Sequence, residues 1–180
     1  MYVAPEMLPA SHNWFVLSDS TAAQGARLSN RNQNLPKSTS PLSSYPDYFE
    51  VRFSPEAGTP YHLWVRGKAD DDYWTNDSVF VQFSDSVDAS GNPIWRVNTN
   101  SATVVSLEDC TGCGEQSWGW QDNAYGAFAA PMYFGKSGPQ TIRVIRREDG
   151  FSIDQIVISA RKYLNTAPGA LKNDTTIVPR

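Results

Sequence analysis

Long apolar runs are missing from this 180-residue chain. No stretch approaches the roughly 20 residues that cross a bilayer as a helix, so no membrane is expected as a partner. An excess of positive charge is missing too. The chain carries 15 Lys+Arg against 19 Asp+Glu, a net charge of -4. A phosphate-binding surface needs a basic excess, so no nucleic acid is expected either. Histidine occurs only as His12 and His62, and cysteine only as Cys110 and Cys113. A four-ligand zinc site would have to bring both histidines to the cysteines from distant positions. No segment sustains a 3.6-residue apolar period, which excludes a helical fold. There is no Gly-x-Ser-x-Gly elbow, no His-Glu-x-x-His and no Gly-rich phosphate loop, so the common hydrolase, metalloprotease and nucleotide signatures are absent.

The present residues point elsewhere. Aromatics make up 12% of the chain and charges only 19%, with 12 Gly and 12 Pro, a balance that suits an all-β extracellular module. Met1 is not followed by a basic-then-apolar leader. The opening reads directly as domain sequence, the expectation for a piece of a longer secreted protein. The two cysteines form one Cys-x-x-Cys with three readings. A redox motif should open a helix, but Gly114 and Trp118-Gly119-Trp120 follow; zinc lacks ligands; a disulfide between Cys110 and Cys113 fits a secreted chain best.

Apolar residues alternate with period two. Tyr48–Phe53, Tyr61–Arg66, Ser78–Phe83 and Thr141–Arg146 read as half-buried strands, and Phe151–Ile158 as a more deeply buried one. Ile94–Val97 and Thr103–Val105 read as two more. In the second run, Tyr61, Leu63 and Val65 face one way, with His62, Trp64 and Arg66 on the other and His62 exposed. Gly58, Gly91, Gly138 and Gly150 lie in the intervening turns, and residues 29–46 form a long surface loop. Short strands punctuated by turns predict an all-β fold, a β-sandwich jelly roll of two antiparallel sheets. The domain is expected over residues 1–165, with a C-terminal tail or linker over 166–180.

One loop concentrates chemistry. After Cys113 come Trp118, Trp120 and Tyr125, interleaved with Gly114, Gly119 and Gly126 and with Gln121, Asp122 and Asn123. Glycine cannot shield its neighbours, so rings spaced this way are expected open on a loop. An open indole beside carboxylates and amides can stack on a pyranose C–H face while the polar groups bond its hydroxyls. The competing reading has both tryptophans covering the end of the sandwich. Trp74, with Asn76 and Asp77 after the acidic triplet Asp70–Asp72, forms a second aromatic-polar loop that serves as another wall or as a solvated turn. Arg66, Lys68, Arg146 and Arg147 are cations able to take a uronate or sulfate, or to pair across strands.

The order of these pieces resembles the galactose-binding-like jelly rolls, above all the family-6 and family-35 carbohydrate-binding modules. Three places carry it: Tyr48–Phe53 with Gly58 and Tyr61–Arg66; Thr141–Val144 with Phe151–Ile156; and the N-terminal Ala4-Pro5-Glu6. The resemblance implies a structural Ca²⁺ held by Glu6, the backbone near Arg27 and Asp154, chemistry that suits a hard-oxygen cation. The residues alone leave open an ion pair from Asp154 to Arg143 or Arg66. The resemblance also implies stacking on Trp118 and Trp120 with polar contacts from Glu148 and Asp149; the loop residues themselves add Asp122 and Asn123 as polar contacts and Trp74 as a further wall.

The expectation is a non-catalytic carbohydrate-binding module of a secreted, extracellular multidomain protein, a monomer whose partners are a polysaccharide or oligosaccharide and the other domains of its parent. A structural or adhesive β-sandwich making protein–protein contacts is the alternative. A small polysaccharide lyase or glycoside hydrolase using Glu50, Glu108 or Glu148 is the third reading.

Overall fold

The computed structural model describes residues 13–41, 47–108 and 116–169. Eleven strands run in chain order: β1 Trp14–Ser18, β2 Ala26–Asn30, β3 Tyr48–Phe53, β4 His62–Ala69, β5 Ser78–Phe83, β6 Ser86–Val87, β7 Thr103–Ser106, β8 Gly119–Gln121, β9 Tyr133–Phe134, β10 Gln140–Arg146 and β11 Phe151–Ser159. They form a five-stranded sheet ordered β1-β2-β11-β4-β8 and a four-stranded sheet ordered β3-β10-β5-β7, with β6 and β9 as a small separate pair. Every ladder is antiparallel. The protein is an all-β sandwich.

Its core follows from the alternation. Leu63 and Val65 of β4, Val79, Val81 and Phe83 of β5, Ile142 and Val144 of β10, and Ile153 and Ile156 of β11 close one cluster between the sheets. Phe134 centres an aromatic group within it, meeting Phe53, Tyr61 and Phe83 edge-on. A bulge interrupts the β11–β4 register between Ile153 and Gln155 and isolates Asp154 there.

Strands form at each of the runs read as β3, β4, β5, β7, β10 and β11, but β5, expected half-buried, is buried on both faces. Two further differences stand out. Of residues 94–97 only Arg96 makes a bridge, to Phe83, because Trp95 takes a left-handed backbone (φ 49) that no ladder accommodates. And the second face of β4 is not open: His62, Trp64 and Arg66 are all buried. Three segments cover that face. The β1–β2 loop donates the Ala23 amide to Asp154 (2.6 Å), Trp118 reaches Thr21 Oγ1 through its indole N–H (2.9 Å), and residues 163–169 lie across Trp64 and Trp120. The segment expected as a tail from residue 166 therefore packs on the sheet at least to Gly169, whose carbonyl accepts the Trp120 indole N–H at 2.9 Å.

Candidate functional site

Residues singled out from the sequence separate into three places. Trp118 and Trp120 lie half-buried on the covered face of the five-stranded sheet. The Arg66 guanidinium sits 5.1 Å from the Trp118 ring centre, and Trp120 packs against Trp64, Val157 and Tyr163. Both indole N–H groups are spent on the protein itself, which is the sheet-covering alternative. Asp122 is buried as well. It accepts from the Ala124 and Ala129 amides (2.8 and 2.9 Å) and meets His62 Nε2 at 2.8 Å. His62, expected exposed, is 2% exposed and stacked on Trp64 at 4.6 Å. Burial alone would raise the Asp122 carboxyl, yet the His62 bond and the two amides bring it below its ordinary value. These groups hold the loop after β8 in shape.

Glu148 and Asp149 occupy the turn between β10 and β11, and both face inward. They fasten the extended strap at residues 31–41. Asp149 Oδ2 accepts the amides of Gln33 (2.6 Å) and Leu35 (3.0 Å), Glu148 Oε1 pairs with Lys37 Nζ (2.7 Å), and the Ser38 amide donates to the Arg147 carbonyl (2.7 Å). The long surface loop read from the sequence is thus an ordered wall in this stretch.

Trp74 and Asn123 come together in a cleft of about 300 Å³. It forms where the edge strands of the two sheets, β7 and β8, approach each other. Asn123 Nδ2 donates to Thr103 Oγ1 (3.1 Å) and Gln121 Nε2 to the Leu107 carbonyl (3.2 Å), tying the edges. Trp74, on a single 3-10 turn at Trp74–Asn76, is one wall and Tyr125 another. Their side chains are 56% and 54% exposed, so aromatic faces remain open to solvent. Lys37 and Arg147 supply cations to the lining, Asp77 and Glu108 supply carboxyl groups, and Ser106 a hydroxyl.

The Trp74 loop is held against its own backbone preference. Asp71 and Asp72 both adopt left-handed φ (61 and 47), costing on the order of 1 kcal/mol or more each. Asp72 Oδ1 accepts the Ser117 amide (2.8 Å), and Asn76 Nδ2 donates to the Asp70 carbonyl (2.9 Å), locking the loop. Beneath the cleft, Asp77 and Glu148 are both buried. Asp77 Oδ2 accepts from Ser106 Oγ (2.9 Å) and the Glu108 amide (3.3 Å), while Ser78 Oγ bonds Glu148 Oε2.

Sequence reasoning named Trp74 and Asn123, put Asp77 in the Trp74 loop and Tyr125 in the open aromatic loop, but gave Lys37 no binding role. Lys37 lies more than thirty positions from any aromatic in the cleft, and no local pattern signals it.

The calcium ligands inferred by resemblance do not assemble among the described residues. Glu6, Cys110 and Cys113 lie outside them. Arg27 belongs to β2, opposite Leu17, and its side chain bonds Ser152 Oγ at 2.6 Å. Asp154 Oδ2 takes two donors, the Ala23 amide and Arg66 Nη1, and its Oδ1 has no partner there. Calcium wants six to eight oxygens. A guanidinium and an amide N–H present positive ends instead, so this donor set does not fit the ion. No group of three or more His, Cys, Asp or Glu able to hold a metal occurs among the described residues.

No family model and no curated protein matches this chain.

Proposed function

We propose that this domain is a non-catalytic carbohydrate-binding module of a secreted multidomain protein, and that a glycan lodges in the Trp74–Tyr125 cleft. One observation carries the reading: two half-exposed aromatic side chains flank a cleft whose remaining lining is mostly polar. A pyranose presents an apolar C–H face and a rim of hydroxyls, and this lining complements both. Trp74 and Tyr125 are the stacking rings, while Asn123, Ser106 and Glu108 with Lys37 and Arg147 supply acceptors and donors. Glu148 and Asp149 hold the strap that brings Lys37 to the cleft, while Trp118, Trp120 and Asp122 lie outside it. The resemblance to carbohydrate-binding modules supports the same class. Calcium is no part of this reading, because the donors around Asp154 do not suit it.

The arrangement of acids favours binding over hydrolysis. Glycosidase carboxyl groups stand about 5–5.5 Å apart in retaining enzymes and about 6.5–9.5 Å apart in inverting ones. Asp77 and Glu148 are instead buried and taken up by the protein's own donors, Ser106 and the Glu108 amide on one, Ser78 and Lys37 on the other. Glu50 spends its carboxylate on Arg143, 2.7 Å away on the neighbouring strand.

Affinity electrophoresis against neutral and acidic polysaccharides tests the proposal. Retardation on a glycan is expected, with Trp74→Ala or Tyr125→Ala lowering affinity at least about tenfold, the scale of about 1–2 kcal/mol per stacked ring. Affinity is modest throughout, since water competes for every hydroxyl. Retardation on no glycan, or equal retardation of wild type and both variants, would sink the proposed site.

A further inference from the structure

Four cations stood out in the sequence as takers of a uronate or sulfate: Arg66, Lys68, Arg146 and Arg147. The fold directs most of them away from the cleft. Arg66 pairs with Asp154 on the covered face of the five-stranded sheet. Arg146 Nε lies 3.4 Å from Asp47 Oδ2, and its Nη1 donates to the Pro36 carbonyl at 3.3 Å. Both arginines are buried. Lys68 does not line the cleft, so Arg147 alone of the four does, joined there by Lys37 of the strap.

These two lining cations converge on one buried carboxylate. Lys37 Nζ stands 2.7 Å from Glu148 Oε1, and Arg147 Nη1 stands 3.9 Å from Glu148 Oε2. Arg147 Nη1 also donates to Ser78 Oγ at 2.6 Å, and that hydroxyl bonds Glu148 in turn. Glu148 is 3% exposed. Asp77 and Glu108 bring further carboxyl groups to the lining. Two cations therefore face three acidic side chains, and the cleft has no surplus of positive charge. The net charge of -4 on the whole chain does nothing to draw a polyanion in.

We infer that the cleft takes an uncharged glycan and discriminates against glycans that carry uronate or sulfate groups. This rests on the Trp74–Tyr125 cleft being the glycan site, and it names the substrate class of that site. A sugar hydroxyl asks only for hydrogen bonds. A lysine ammonium has three N–H donors and a guanidinium five, so those left over from Glu148 and Ser78 can serve hydroxyls while both cations keep their partners. A sugar carboxylate or sulfate asks for a counter-charge as well. Drawing Lys37 to it would strand the Glu148 carboxylate in the interior, and removing one partner from a buried pair is strongly unfavourable. Leaving Lys37 in place sets the sugar's charge beside the acids of the cleft, where it is repelled. By either route the anionic sugar binds more weakly than its neutral counterpart.

Isothermal titration calorimetry of the whole chain with backbone-matched polymers tests this. The pairs are hydroxyethylcellulose against carboxymethylcellulose and methyl-esterified against de-esterified homogalacturonan, with laminarin and galactomannan as further neutral probes and dextran sulfate as a further anionic one. At about 0.02 M salt the neutral probes are expected to bind at least about tenfold more tightly than the anionic ones. Raising the salt to about 0.5 M screens charges over a few ångströms. Neutral affinity should then hold, and anionic affinity should rise or stay level, whereas a site built on cations would lose it. Glu108→Gln, which removes one lining carboxylate, should raise the ratio of anionic to neutral affinity by about threefold, the scale of one solvent-screened charge pair. Equal or tighter binding of the anionic probes, an anionic affinity that falls with salt, or a ratio unmoved by Glu108→Gln overturns the inference. In each of those cases the glycan site stands as long as Trp74→Ala weakens binding. If no probe binds, or if Trp74→Ala and Tyr125→Ala both leave binding unchanged, the site itself is wrong and the inference falls with it.

Discussion

Asp154 has lost nearly all of its water, and its fate shows how one residue couples the fold to pH. Burial raises its carboxyl from 3.8 to about 6, with the Ala23 amide and the Arg66 guanidinium opposing that rise. The folded value lies above the ordinary one, so the native state binds more protons than the unfolded chain between about pH 4 and about pH 6. Stability contributed at this position therefore falls as pH rises through that window and is level above it. About two pKa units correspond to about 3 kcal/mol. Asp154→Asn should remove this slope in denaturant titrations at several pH values. It also strands the Arg66 charge in the interior, at a net cost of about 3–5 kcal/mol, and Arg66→Met in the same chain should recover most of that loss. Chelation should leave the wild-type thermal midpoint unchanged; a drop in EDTA would show that a cation sits there after all. The sequence made the problem legible, since an aspartate inside Phe151–Ile158 cannot stay uncompensated. It left two arginines as candidates. Arg66 is the one chosen because it projects from the strand paired with β11 on the covered face, whereas Arg143 lies in the other sheet and pairs with Glu50.

Strands set tighter limits than single charges. Gly67 lies in mid-β4, where a Cβ would stand 2.6 Å from Phe151 Cζ and 3.0 Å from Leu107 Cδ2. Gly150 ends the β10–β11 turn with φ +81, and a Cβ there would meet Asn76 at 2.7 Å. Asn76 is the residue whose amide locks the Trp74 loop. Gly67→Ala is expected to cost about 1–3 kcal/mol by overpacking. Gly150→Ala combines a strained φ with that clash, costs at least about 1 kcal/mol, and should also shift Trp74 fluorescence. Urea denaturation reads both losses, and native-state tryptophan fluorescence separates the two, because only the second variant touches the cleft. Long strands announced themselves through period two. β8 did not, since three residues beginning with a glycine carry no period, and it pairs only because β4 offers an edge. Ile94–Val97 had the right composition for a strand and failed for want of a partner in register: the backbone turns over at Trp95.

At the scale of the molecule, the sandwich has no bare sheet over β4. Tyr163, Trp64, Val157 and Trp120 form a second apolar cluster outside the main core, and the Trp64 indole N–H donates to the Tyr163 carbonyl at 2.8 Å. Ending the chain after Ala160 uncovers this cluster. The expected loss is about 2 kcal/mol, the value of one buried aromatic, with a lower thermal midpoint and new binding of a hydrophobic dye. An unchanged midpoint would show that residues 161–169 contribute no cover.

The sequence by itself determined the class of fold, because period two, turn residues and the lack of any helical pattern allow little besides a sandwich. It also determined that aromatic-polar loops lie near Trp74 and near Tyr125. Only the tertiary structure decided which rings stay open. Alternation along a strand says which side chains leave the core, but not whether a distant segment then covers them. Residues 19–25 and 163–169 lie over Trp118 and Trp120, while nothing among the described residues closes over Trp74 and Tyr125. That choice is made by contacts between segments more than forty residues apart, and no local pattern encodes it.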